Sequence, residues 1–237
     1  MAFTTSLSSE KDRQQAFLLF LILAAVFVSA LVTCNLIFRK FFLWEPFGEG
    51  GFSFEQSVGL LPYPITFLVT DIISEVFGRK RANQVVVAGL IASVFVLLFV
   101  YMGMAANATG WSEVQNADYE KVFGVTVVGI GASMAAYLIA QSLDVRMFHF
   151  WKTRTGGRKL WLRNNLSTIP SQVIDTSVVL LLLCAAGDIA WGNFGVLFLN
   201  GVLFKALVAL LDTPLVYLCT FAIRKRFGLE WGQEIAL

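Results

Sequence analysis

Apolar residues in this chain gather into six runs, approximately Phe17–Phe38, Val58–Phe77, Gln84–Ala106, Val122–Phe148, Leu166–Ala186 and Phe194–Ile223. Each reaches or exceeds the roughly 20 residues a helix needs to cross the hydrocarbon core of a bilayer. Polar connections separate them. The pattern predicts an all-α membrane protein with six transmembrane helices: residues 1–16 as a cytoplasmic amino-terminal segment, 17–223 as the membrane domain and 224–237 as a basic cytoplasmic tail. The fourth and sixth runs are longer than one crossing requires, which predicts tilt or an extension along the interface. The first run has 22 residues. That exceeds the apolar stretch of about 7–15 residues in a cleavable signal, and no small-residue cleavage pattern follows, so it is expected to stay as the first helix.

Basic residues set the expected orientation, because cytoplasmic loops are enriched in Lys and Arg. With the amino terminus inside, thirteen Lys and Arg fall on the inner side, among them Arg79–Arg81, Lys152, Arg163 and Arg224–Arg226, and three on the outer side, Arg39, Lys40 and Lys121. Both termini are therefore expected in the cytoplasm and the chain in the cell inner (plasma) membrane, multi-pass. Composition agrees. Hydrophobic residues make up 57% and charged residues 14%, against about 25% charged in an ordinary soluble domain. The 22 Phe and 6 Trp suit lipid-facing and interfacial positions. Cys34, Cys184 and Cys219 have no metal or redox spacing and are expected as small buried hydrophobes.

Against that background eight ionisable residues lie inside or at the rim of the apolar runs: Asp71, Glu75, Asp144, Arg146, His149, Asp175, Lys205 and Asp212. Charges in hydrocarbon are costly, so such residues usually face a bundle interior where something is bound or moved. In the second run Pro62 and Pro64 disturb the backbone. Asp71 and Glu75 follow at i, i+4 on one face. Glu75 is expected at interfacial water or against Arg79. The fourth run places Gln141 and Asp144 at i, i+3. A small-residue surface of Gly124, Gly129, Gly131, Ala132, Ser133, Ala135 and Ala136 precedes them and predicts close packing. His149 and Arg146 fall near the cytoplasmic exit, where a lone His supplies no metal site. In the fifth run Thr168, Gln172 and Asp175 share a face beside Pro170, either as a small-molecule site or as polar glue between helices. In the sixth, Lys205 and Asp212 are roughly co-facial. Lys205 is expected to pair with Asp175, Asp212 or Asp71.

These residues also carry a resemblance. Pro64–Asp71 followed by Phe77-Gly78, Ala140–Val145 with Phe148, Trp161-Leu162 leading to Ser167-Thr168, Gln172–Thr176, Phe204-Lys205 and Pro214, together with Asn35, resemble the queuosine-precursor transporter family, also described as vitamin uptake transporters. The resemblance implies uptake of a 7-deazaguanine, such as 7-cyano- or 7-aminomethyl-7-deazaguanine, used to make queuosine in transfer RNA. Such a base offers N1–H and a 2-amino group to one carboxylate, and O6 to an amide or ammonium.

On that reading Asp175 or Asp71 accepts the guanidine-like edge and Gln172 and Gln141 orient it. Asn35 and Lys205 add polar contacts, and Phe67 stacks on the ring. Asp144 and Asp212 are expected in gating or structural polar roles. The expected partners are this small-molecule substrate, membrane lipids and a second copy in a homodimer, with no nucleic acid; no metal and no cofactor is expected. Without a Walker A loop the chain has no ATPase signature, which leaves proton symport and facilitation both open. A binding subunit of an ATP-driven vitamin transporter is the second reading. Catalysis ranks third, since neither HExxH nor Gly-x-Ser-x-Gly occurs. Three helices per half is consistent with a 3+3 inverted repeat, and Glu49–Phe54 is expected as an irregular outer cap.

Overall fold

A computed structural model describes residues 4–5, 7, 9–45, 48, 54–124, 127–156, 158–187 and 189–236, without the side chains of 4, 54–55 and 127–132. Among the described residues seven α-helices carry the fold: α1 (Glu10–Ile37), α2 (Tyr63–Val76), α3 (Gly78–Ala105), α4 (Asn116–Phe123), α5 (Val127–Arg154), α6 (Leu160–Ala186) and α7 (Phe194–Phe227). Two small sheets complete it. Strand β1 (Thr4–Thr5) pairs in parallel with β4 (Glu234–Ile235) and joins the ends of the described chain. Strands β2 (Phe41–Trp44) and β3 (Phe54–Ser57) form an antiparallel hairpin, Phe41 opposite Ser57 and Trp44 opposite Phe54. The expected cap at Glu49–Phe54 falls in this hairpin's connection, and residues 49–53 lie outside the described residues.

Among the described residues five helical segments are long and apolar enough to cross a membrane: Glu10–Ile37, Val58–Val76, Gly78–Ala105, Leu160–Ala186 and Trp191–Phe227. The fourth apolar run resolves into two elements. Short α4 stops at Gly124, where an added Cβ would stand 2.3 Å from the Glu120 carbonyl oxygen, and α5 begins at Val127. The second run likewise begins as a single 3-10 turn, Val58–Leu60, which the Ser57 hydroxyl caps by accepting from Gly59 N at 3.1 Å. Pro62 and Pro64 then open α2, where the missing N–H groups cost nothing.

Burial is inverted relative to a water-soluble protein. Phe17, Leu18 and Ile22 of α1, Ile91, Phe95 and Phe99 of α3, and Leu199, Leu211 and Leu218 of α7 are all exposed, faces that only lipid stabilises. Inside, α2 is the hub. Ten of its fourteen residues are buried, including Thr66, Thr70, Asp71, Ser74 and Glu75. It packs against α1, α3, α5 and α7. Helix α5 lies along most of α6 and turns inward a face of Ala136, Tyr137, Ala140, Gln141, Asp144, Val145 and Phe148, the i, i+4 rows of one helical surface. Helix α7 runs unbroken past the expected tail boundary to Phe227, so Arg224 is a buried helical residue.

Candidate functional site

The polar interior is arranged along one stripe. Tyr63, Phe67, Asp71 and Glu75 follow one another at four-residue spacing on α2, so they share a face along the helix. Helix α6 runs the other way and answers each in turn. Asp175 lies beside Tyr63, Gln172 and Thr168 line a cleft with Phe67, Thr168 Oγ1 donates to Asp71 Oδ2 at 3.4 Å, and Arg163 Nη2 stands 2.6 Å from Glu75 Oε1.

The first level is a narrow cleft between α2, α6 and α7, with about 20 Å³ of space, enough for roughly one water. Tyr63, Phe67 and Phe204 supply aromatic walls, with Leu60, Pro64, Val208 and Ala209 between them. Four polar residues reach it: Thr168, Gln172, Lys205 and Asp212. Lys205 Nζ donates to Asp175 Oδ2 at 2.7 Å and Thr176 Oγ1 at 3.1 Å, and lies 4.8 Å from the centre of the Tyr63 ring. The Lys205–Asp175 pair is nearly buried, at 11% and 6% side-chain exposure, which a charge pair tolerates only with such close compensation. Gln172 is buried, yet its Oε1 receives no donor. An amide oxygen left open in an apolar wall is an acceptor site awaiting a donor. On the hairpin side, Trp44 stands edge-on to Phe204 with ring centres 5.9 Å apart.

The second level holds Asp71 and Asp144, 2% and 0% exposed, whose carboxyl groups are close neighbours. Ser171 Oγ lies 3.3 Å from Asp144 Oδ1. Gln141 Nε2 donates to Thr70 Oγ1 at 2.6 Å, tying α5 to α2.

The third level is an ion network at the end of α2. Glu75, fully buried, is contacted by Arg163, by Arg224 and, at 3.6 Å, by Lys152. Lys152 also pairs with Glu234 of β4 at 2.8 Å and donates to the Glu75 carbonyl at 3.0 Å. Arg163 additionally sits 5.5 Å from the Phe148 ring centre. This replaces the expected Glu75–Arg79 pairing: Arg79 is exposed, and three basic residues counted as loop or tail charges point inward instead.

The structure thus brings Phe67, Gln172, Lys205 and Asp175 together, and adds Asp212 to the same cleft. It does not bring in the rest. Asp71 sits one turn deeper against Asp144, Gln141 is engaged with Thr70, and Asn35 Nδ2 donates to Ser93 Oγ at 3.4 Å between α1 and α3. Tyr63 was not expected at the site, and Phe204 entered only through the family resemblance, with no role in binding. Tyr63 was detectable as the residue four before Phe67 on the Asp71 stripe; Phe204 was not, because an aromatic beside Lys205 in an apolar run looks like any lipid-facing ring. His149 is half-buried and edge-on to Phe148, and among the described residues no three His, Cys, Asp or Glu side chains cluster as metal ligands.

Comparison with known proteins fits this interior. A family profile described as "Putative vitamin uptake transporter" matches residues 57–219, which contain all three levels except Glu234 and Arg224. A "Probable queuosine precursor transporter" of Bacillus subtilis (strain 168) is 29% identical over 171 residues, covering 70% of this chain and 72% of that protein. A protein of the same description from Haemophilus influenzae is 28% identical over 99 residues, 41% of this chain and 40% of its own length. No solved structure matches significantly.

Proposed function

We propose that this chain, which belongs to the vitamin uptake transporter family and is a multi-pass membrane transporter, imports a queuosine precursor of the 7-deazaguanine class through the cleft between α2, α6 and α7. The observation that carries the reading is Gln172, which lines an aromatic-walled cleft while its buried Oε1 has no donor. The cleft is closed around about one water's volume, and a flat heterocycle enters once α7 moves away from α2, to lie between Tyr63 or Phe67 and Phe204, where stacking stabilises any planar base. Its N–H edge meets acceptors in Gln172 Oε1 and the half-buried Asp212 carboxylate, while its O6 meets the Lys205 ammonium. Asp175 holds Lys205 in place and is exposed as a second acceptor when Lys205 turns to the ligand. The two relatives described as probable queuosine precursor transporters support the substrate class.

The membrane placement extends the same proposal. Six spans result when α5, 28 residues long, joins the five apolar segments. The distribution of basic residues puts the Glu75 network and both termini at the cytoplasmic face of the inner membrane, and the β2–β3 hairpin outside. A homodimer is proposed on size, since six helices give little width around a path, and symmetric pairs are the commonest assembly.

The test uses purified chain alone in liposomes. Labelled 7-cyano- or 7-aminomethyl-7-deazaguanine is expected to enter, with unlabelled 7-deazaguanines competing better than guanine. Gln172→Leu removes one acceptor at similar bulk and is expected to weaken half-saturation by about 5–150-fold, the range for one unmatched hydrogen bond of about 1–3 kcal/mol. Stronger competition by an unrelated vitamin, or unchanged half-saturation in Q172L, overturns the assignment.

A further inference from the structure

The cleft does not use the second level, and that level holds two carboxyl groups that form no ion pair among the described residues. Asp71 of α2 and Asp144 of α5 meet where α6 passes between Thr168 and Ser171. Asp71 Oδ1 and Asp144 Oδ2 are both buried and neither receives a donor. Asp71 Oδ2 lies 3.4 Å from the Thr168 hydroxyl and Asp144 Oδ1 3.3 Å from that of Ser171, with the Ser167 hydroxyl also beside Asp144, and Ser171 makes its shorter bond of 2.8 Å to the Thr168 carbonyl.

Arg163 is the cation nearest this level, close enough to act on Asp71 through space, but its ion pair is with Glu75. Arg163 of α6, Arg224 of α7 and Lys152 of α5 converge on Glu75, one turn inward on α2, and Lys205 of α7 is held by Asp175, one turn outward on α6. Tyr137 of α5 is the remaining titratable group on that face, its hydroxyl without a partner; among the described residues α1 and α3 present no charged side chain at this depth. Two bare carboxylates in contact, away from water and with no ion-pair partner, repel and lose their hydration at once. A single proton between them removes the repulsion and gives the orphaned oxygens a donor.

We propose that the Asp71–Asp144 pair binds one proton and that this proton crosses with the substrate, making the carrier a proton symporter. The inference rests on the transport reading above. Thr168 links the two sites: it lines the cleft and its hydroxyl is a donor to Asp71. Drawing that hydroxyl toward a bound heterocycle removes a donor from Asp71 and strengthens its hold on the proton. By linkage, the proton then strengthens substrate binding by the same factor. Loss of the proton restores repulsion between α2 and α5, the force that separates them in the return step.

The test has two arms on the full chain. In purified protein, infrared spectroscopy is expected to show the carbonyl band of a protonated, buried carboxylic acid that disappears in Asp144→Asn and in Asp71→Asn. In liposomes with the membrane potential clamped, a gradient of one pH unit, inside alkaline, is expected to sustain about tenfold substrate accumulation, since one unit is about 1.4 kcal/mol per proton. Sodium gradients are expected to do nothing. D144N is expected to lose gradient-driven accumulation, while its monodisperse elution and wild-type circular dichroism spectrum verify its fold. Absence of the infrared band in the wild type overturns the proton site whatever the flux. Accumulation driven by sodium, or indifferent to pH, overturns the coupling. A persistent band with no flux of any 7-deazaguanine overturns symport through failure of the transport reading, and the band identifies which of the two was wrong.

Discussion

Glu75 shows how far depth alone carries a residue. Its place near the end of an apolar run suggested an interfacial side chain, because sequence spacing offers Arg79 one turn on. The structure instead gathers Arg163, Lys152 and Arg224 from three other helices around it. Those contacts span up to 149 residues, so no local pattern announces them. Removing one partner of a buried ion pair costs about 3–5 kcal/mol, mostly from the charges left behind. Glu75→Gln is therefore expected to lower the thermal unfolding midpoint of the detergent-solubilised protein strongly, whereas Arg79→Gln, at an exposed position, is expected to leave it nearly unchanged. Equal effects would restore the local pairing. Lys205 was more legible: an intramembrane ammonium needs a carboxylate, three were within reach, and Asp175 is the one it meets at 2.7 Å. Which of the three it would be depends on how α6 and α7 pack, which spacing does not encode.

At the scale of elements, hydropathy located the helices because apolar runs of this length have few other solutions, but it blurred their ends. The run at Val122–Phe148 conceals the break at Gly124, since residues on both sides of the break are apolar. The short polar helix α4 escaped for the opposite reason, having no buried face to create a period. The junction of α2 and α3 was marked only by a glycine. Gly78 is buried with φ of +81°, a conformation that costs a side-chain-bearing residue about 1 kcal/mol or more. An added Cβ would also stand 2.2 Å from the Glu234 carboxylate. Gly78→Ala is thus expected to dislodge the terminal strand and speed amide hydrogen exchange across residues 229–236, with little change in the cleft. Exchange as slow as in the wild type would contradict that link between the tail and the α2–α3 corner.

For the molecule as a whole, the polar interior was legible as an inventory and not as an arrangement. Asp71, Gln141, Gln172 and Asp175 were expected around one hollow; they occupy successive levels along the α2–α6 face, because residues four apart on a helix are separated by about 6 Å of rise. In the proposed 3+3 arrangement α2 and α6 are the middle helices of the two halves. They run antiparallel with matched stripes, and each is marked by proline near its polar residues, which supports the proposed inverted repeat. The proposed orientation predicts that, in an otherwise cysteine-free chain, a cysteine at Gly110 reacts with an impermeant maleimide in intact cells. One at Gly156 is expected to react only after permeabilisation. The reverse pattern would turn the molecule over.

The most direct measurement of the central claim is photo-crosslinking of the purified transporter with a 7-deazaguanine bearing a small photoreactive group at the 7-position, followed by mass spectrometry of the labelled peptides. The account predicts label on the α2 segment around Tyr63–Phe67, the α6 segment around Thr168–Gln172 and the α7 segment around Phe204–Asp212, suppressed by excess unlabelled substrate. Specific, competable label confined to the Asn35–Ser93 contact between α1 and α3, or to the outer hairpin, would contradict it.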